Sequence, residues 1–196
     1  MDAEEIRNVS RAYLQDASDL LSATRGACVD DIARAADRLT GCFRSQGRLL
    51  ICGNGGSAAD AQHLATEFVS TLTIDHPRPS IPAIALTTDT SLLTAIANDF
   101  GVERMFARQV EALGRSGDVL MAISTSGRSA NIVAAATAAQ ERDLSVIALT
   151  GESGGELAPL ADVTIRVPST TTAHIQECHL AIEQLLALLV ERALYP

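Results

Sequence analysis

"LLICGNGGSAADAQHLATE", Leu49 to Glu67, is the stretch on which the fold reading turns. An apolar run ends in glycines, and a segment of helical character follows with one histidine and one glutamate. Taken literally, Gly53-Asn54-Gly55-Gly56-Ser57-Ala58 fits G-x-G-x-x-A, the dinucleotide fingerprint. The competing reading is a loop whose glycines admit a smaller phosphorylated ligand.

The same pattern recurs along the chain. Short apolar runs at Arg48–Cys52, Ala83–Leu86, Val119–Ile123, Val146–Leu149 and Val163–Val167 each lead into a loop rich in Gly, Ser or Thr. Between them lie helix candidates at 57–72, 90–98, 103–113, 129–142 and 155–161, and a last helix covers about 172–194. Runs alternating with helices predict an α/β fold: a parallel sheet covered on both faces. Ahead of it, residues 1–46 read as a helical pair with a short break at Arg25-Gly26. The whole chain, 1–196, is predicted to form a single domain, with 47–196 as the α/β core and C-terminal helix. The segment "DHPRPSIP", 75–82, reads as a proline-rich connection.

Composition narrows the function. The chain is 47% hydrophobic but only 3% aromatic, with no Trp, so its core is aliphatic. No apolar run reaches the roughly 18 residues of a membrane span, and "MDAEEIRNVS" is too acidic for a signal peptide. A cytoplasmic protein without membrane contact is expected. A net charge of −9 argues against nucleic acid as a partner. Cys28, Cys42, Cys52 and Cys178 lack CxxC spacing and read as reduced, buried thiols. All 15 basic residues are Arg. Without lysine there is no Schiff-base chemistry through a side chain and no P-loop.

In an open parallel sheet, ligands bind beyond the carboxyl ends of the strands. There the chain places "GNGGS", "TTDT", "STSGRS" and "TGESGG". In "AISTSGRSAN", Ala122–Asn131, the hydroxyls of Ser124, Thr125, Ser126 and Ser129 crowd around Gly127 at the start of a helix. Free backbone N–H groups and the helix dipole suit a phosphate there. Helix capping needs only one or two of these hydroxyls. The dinucleotide reading wants an acidic residue at the end of the second strand, about 20 positions on. Asp75 has the spacing but sits among prolines, and Asp89 ends the next strand but lies too far on.

His63 and Glu67 share one helix face at i, i+4. They can ligate a metal, act as acid and base, or simply form a solvated polar face. In the last helix Gln176 precedes a long leucine-rich surface suited to a core or an oligomer interface.

Together, "CGNGGSAADAQH", "PAIALTTDTSLLTAIANDFG", "GDVLMAISTSGRSANI", "ALTGESGG", "RVPS" and "IQECH" resemble the sugar isomerase (SIS) domain, and specifically the phosphoheptose isomerases. The resemblance covers nearly the whole chain. It implies a single SIS domain with a five-stranded parallel sheet flanked by helices. It also implies a homotetramer with active sites between subunits, and interconversion of sedoheptulose 7-phosphate with D-glycero-D-manno-heptose 7-phosphate, often with bound zinc and no organic cofactor. By motif match, Ser124, Thr125, Ser126 and Ser129 bind the phosphate, while Asn54, Gly55, Gly56, Asn98 and Asp99 contact the sugar. His63, Glu67 and Gln176 match zinc positions, and Glu67 also matches the catalytic base.

Two positions depart from that pattern. Gln184 stands where the isomerases carry a further histidine, a zinc ligand and acid/base partner, and Thr71 stands where they carry an arginine. His179 is shared with the isomerases and does not replace the missing ring. Two alternatives follow. One is a non-catalytic SIS relative that binds the replication initiator. The other is an isomerase for a different ketose phosphate.

Overall fold

A computed structural model describes residues 1–196. Its centre is one parallel sheet of β1 (Leu49–Gly53), β2 (Ala83–Ala85), β3 (Val119–Ile123), β4 (Ser145–Thr150) and β5 (Val163–Arg166). The strand order is β2-β1-β3-β4-β5. The helices are α1 (Ala3–Arg44), α2 (Gly56–Val69), α3 (Thr90–Phe100), α4 (Ala107–Leu113), α5 (Ala130–Glu141) and α6 (Thr172–Leu194).

The strands are Val/Ile/Leu/Ala runs because both faces are covered. Successive side chains point to opposite faces. Leu49, Ile51, Val119, Met121, Ile123, Ile147 and Leu149 therefore pack with residues of α1, α2 and α6. Leu50, Cys52, Leu120, Ala122, Val146 and Ala148 pack on the other side with residues of α4 and α5. All four cysteines are free and buried. No helix is long and apolar enough to cross a membrane.

The expected strands are present to within one or two residues at their ends. The N-terminal helical pair is not: residues 3–44 form one helix of 42 residues, about 63 Å long at 1.5 Å per residue. Gly26 costs an exposed helix only about 1 kcal/mol. The buried stripe runs straight through it, through Thr24, Cys28, Ile32, Ala35, Leu39 and Phe43. The Thr24 hydroxyl donates to the Cys178 sulfur, and the Cys28 thiol to the Arg166 carbonyl, so both sides of Gly26 are held against the body. The helix expected at 155–161 is only a 3₁₀ turn, Ala158–Leu160. Pro159 removes a donor there, and Gly154 and Gly155 adopt positive φ just before it. The helix expected at 103–113 divides into a 3₁₀ turn, Val102–Arg104, and α4, with buried Phe106 between them.

The strand order reverses direction between β1 and β3, and such a switch point is where ligands bind in this architecture. Gly53 at the end of β1 pairs in register with Ile123 at the end of β3. The glycine loop and the hydroxyl loop therefore emerge side by side.

Candidate active site

Three structures meet beyond these strand ends: the hydroxyl loop, the glycine turn, and the seam between α2 and α6. In the hydroxyl loop the backbone of Ser124 is bonded to Leu149 of β4, and the loop closes on itself through Gly127 N–H to the Ser124 carbonyl. The hydroxyls of Ser124 and Ser129 lie 3.1 Å apart, and that of Ser126 accepts the Arg128 N–H at 3.2 Å. Ser129 is the N-cap residue of α5, but its hydroxyl makes no capping bond. The capping explanation therefore fails for Ser129, whose hydroxyl pairs with that of buried Ser124 instead. Gly127, at φ +64°, lies against the backbone of Gly154 and Gly155, where no side chain fits. "STSGRS" and "TGESGG" are thus one rigid unit.

A cavity of about 270 Å³ opens beside this unit. Thr125, Ser126, Arg128 and Glu152 line one side, and Ser169, Thr170, Thr172 and Ile175 another. A larger cleft of about 650 Å³ lies under α1, but Val119, Ser145 and Val163 place it at the amino ends of the strands. The smaller cavity lies beyond the carboxyl ends of the strands, the side on which ligands bind in this architecture.

The glycine turn has Gly55 at φ +56°. A Cβ on Gly56 would come within 2.7 Å of the Gln176 amide. Gly56 is small because Gln176 of α6 occupies that space, which is a different use of the glycine from approach to a pyrophosphate. Asn54 and Asn131 exchange two amide hydrogen bonds, at 2.8 and 2.9 Å, and so tie the two loops together.

Farther along the seam, His63 Nε2 stands 3.3 Å from Glu67 Oε1. The Gln184 amide donates to His63 Nε2, and also reaches Glu67 Oε1 at 3.5 Å. One seam thus gathers His63, Glu67 and Gln184, and the same two helices bring Gln176 to Gly56. Asn98 and Asp99 are not drawn in: Asn98 donates to Asp99 at 2.7 Å on the exposed face of α3. Thr71 donates to the Thr73 carbonyl within its own loop and supplies nothing to the seam.

Sequence reasoning missed the middle of the seam. Glu183 is fully buried and both its oxygens lack a hydrogen-bond partner. Burial, with the charge of Asp60 adding to it, pushes its carboxyl up to about 9. Asp60, one turn before His63 on α2, also has a buried oxygen without a partner, and burial raises its carboxyl, with His63 opposing. His179 donates from Nε2 to the Thr150 carbonyl at 3.2 Å, and burial depresses its ring to about 4. It is a neutral core histidine bonded to β4. Asn131, in a motif already quoted, and the "PSTTT" wall of the cavity were the other omissions. Serines and threonines in a loop carry no signal until the cavity is seen.

As a metal site the seam is thin. No group of three His, Cys, Asp or Glu side chains is placed to hold an ion. His63 and Glu67 are two strong donors, and the amides of Gln176 and Gln184 are weak ones. A catalytic zinc takes three strong protein ligands, so this set does not fit a tightly held zinc.

Known proteins share this sequence and fold. The SIS domain family matches residues 12–151. The phosphoheptose isomerase of Rhodospirillum rubrum is 51% identical over 94% of this chain and 96% of its own length. That of Methylococcus capsulatus is 48% identical over 98% and 97%. The solved phosphoheptose isomerase of Neisseria gonorrhoeae superposes with a TM-score of 0.90 at 42% identity, covering 95% of this chain and 99% of that one. The Francisella tularensis phosphoheptose isomerase gives 0.91 at 37% identity, covering 98% and 100%. By sequence, by topology and by the loops at its switch point, the chain belongs to the SIS domain family.

Proposed function

We propose that the chain is an aldose–ketose isomerase of phosphoheptoses, interconverting sedoheptulose 7-phosphate and D-glycero-D-manno-heptose 7-phosphate through an enediol. The observation that carries this is the Glu67 carboxylate against His63, 3.3 Å apart on the seam of α2 and α6. The chain's near-full-length identity to phosphoheptose isomerases supports the substrate class.

The phosphate sits with Ser124, Thr125, Ser126 and Ser129 at the start of α5, where backbone N–H groups and the helix dipole favour an anion. Arg128 faces the same cavity. This anchor lies away from the reacting carbons and supplies binding energy that fixes the sugar. Glu67 then takes a proton from C1 of the ketose. The C1–H electron pair becomes the C1=C2 bond of the enediol, and the C2 carbonyl oxygen gains a proton. His63, the imidazole next to Glu67, is the group to shuttle the oxygen proton from O1 to O2. Return of the carbon proton to C2 completes the aldose, and atoms and charge balance without an organic cofactor. Gln176 and Gln184 orient the sugar oxygens. His63 and Glu67 with the two amides would hold zinc only weakly, and the ion would supply stabilisation of negative charge on those oxygens.

The enzyme works in the cytoplasm as a homo-oligomer, a tetramer in the family's manner. Four free thiols support the compartment. The exposed apolar side chains Ile6, Val9, Tyr13 and Leu14 on α1, and Leu180, Leu185 and Leu189 on α6, support the association.

The test is sedoheptulose 7-phosphate with purified protein in D₂O, followed by NMR. Deuterium is expected at C1, with aldose appearing. Absence of both, with and without added zinc, overturns the proposal. Binding of the replication initiator by such an inactive protein would favour the non-catalytic alternative.

A further inference from the structure

The connection after α2 reads in the sequence as a spacer, yet it sends one arginine into the interior. The Arg78 side chain is 1% exposed and its partner Glu191, on α6, is 4% exposed. Arg78 Nε donates to Glu191 Oε2 at 2.6 Å. Its Nη2 donates to the backbone carbonyl of Glu67 at 2.6 Å, and its Nη1 to that of Phe68 at 2.9 Å and of Pro79 at 3.0 Å. His76, in the same connection, bonds the Tyr195 carbonyl at the end of α6 at 2.9 Å.

These contacts answer a need of α2. The last carbonyls of a helix have no partners within it, and its C-terminal end attracts a cation. α2 ends at Val69, with Ser70 as its C-cap and no basic residue in its last turn. Arg78 supplies the missing charge and donors from outside the helix. A planar guanidinium can address carbonyls on one edge and a carboxylate on another, and an ammonium cannot. The result joins the C-terminal ends of the two helices that carry His63, Glu67, Gln176 and Gln184.

We propose that Arg78 is a positioning residue for the base: it holds the backbone of Glu67 in place by linking the Glu67 carbonyl to the Glu191 carboxylate. This rests on the reading of Glu67 as the base. A reacting group displaced by about 1 Å can cost about 10²-fold in rate. The phosphate anchor stands on β3 and α5, outside these contacts, so loosening the clasp affects proton transfer more than binding.

The test uses the full chain with Arg78→Lys and Glu191→Gln. The second variant keeps an acceptor for Arg78 and guards against a misfolded first one. Three quantities are read: turnover of sedoheptulose 7-phosphate, the primary isotope effect with the C1-deuterated ketose, and amide hydrogen exchange at Phe68, Val69 and Ser70. Both variants should lose about tenfold or more in kcat with KM within about twofold. The isotope effect should rise as proton transfer becomes slower, and protection at the three amides should fall. A role in folding alone would lower the yield of active protein and leave the isotope effect where it was. Wild-type kcat and isotope effect in a folded Arg78→Lys protein, or in Glu191→Gln where the first does not fold, overturn the proposal. If the wild type itself does not turn over the ketose, the isomerase reading fails. The exchange data then decide separately whether Arg78 holds Glu67: lost protection sustains the clasp and unchanged protection removes it.

Discussion

Replacing Glu183 by glutamine should make the protein more stable, although it changes a fully buried residue. Glu183 has no hydrogen-bond partner, and its carboxyl is pushed from 4.5 up to about 9. In the unfolded chain it ionises above pH 4.5, while the folded protein keeps it protonated up to about 9. The unfolded state is therefore favoured progressively as pH rises through that window. Each unit is worth about 1.4 kcal/mol, so at pH 7 the cost is on the order of 3 kcal/mol. Glutamine has no proton to lose and nearly the same shape. Its unmatched amide hydrogens cost about as much as the protonated carboxyl's own unmet bonds, leaving a gain of about 2–3 kcal/mol. For a chain of this length that raises Tm by about 5–10 °C. The assay is thermal and urea unfolding of both proteins from pH 5 to 9, at one protein concentration so that association does not enter. The gap between them should widen with pH up to about 9 and then level. His179, depressed to about 4, costs stability as pH falls from 6.5, but it is common to both proteins and drops out of the difference. A Glu183→Gln protein no more stable than wild type at pH 8, or a gap that ignores pH, refutes the reasoning.

Three further outcomes are expected. Gly127→Ala should cost about 3 kcal/mol or more, because φ is +64° and the new methyl meets rigid backbone of Gly154 and Gly155; urea unfolding checks it. Gly56→Ala should unfold at nearly the wild-type urea concentration but lose activity, since its methyl meets only the movable end of Gln176; steady-state kinetics separate the two effects. Gln184→His should convert a two-donor seam into a three-donor one. Elemental analysis after chelator dialysis should find about one zinc per chain in the variant and little in wild type.

The sheet was legible because buried parallel strands leave an unmistakable trace: β1, β3 and β4 are unbroken aliphatic runs, each followed by a loop of small residues. Ser124 to Ser129 were legible for the same reason, since topology dictates where such loops must lie. Gly26 misled because a glycine signals a break only where nothing else holds the helix, and Thr24 and Cys28 hold it on both sides. The seam was half legible. His63 and Glu67 share a face by spacing, but the register that sets Gln184 against them depends on how α2 and α6 pack. Glu183 carried no signal, because a glutamate next to a glutamine on a helix looks like solvated surface. Arg78 was hidden among prolines, where an arginine has no periodicity to betray its direction.

The seam also bears on how the molecule comes to be. Gln184 meets His63 across 121 positions of chain, and contacts of such separation are slow to form because a long loop must close before they stabilise anything. Strands and helices can therefore be present in a refolding chain that has no site at all. Recovery of ligand binding, followed alongside recovery of ellipticity, would time the docking of α6 as a separate event.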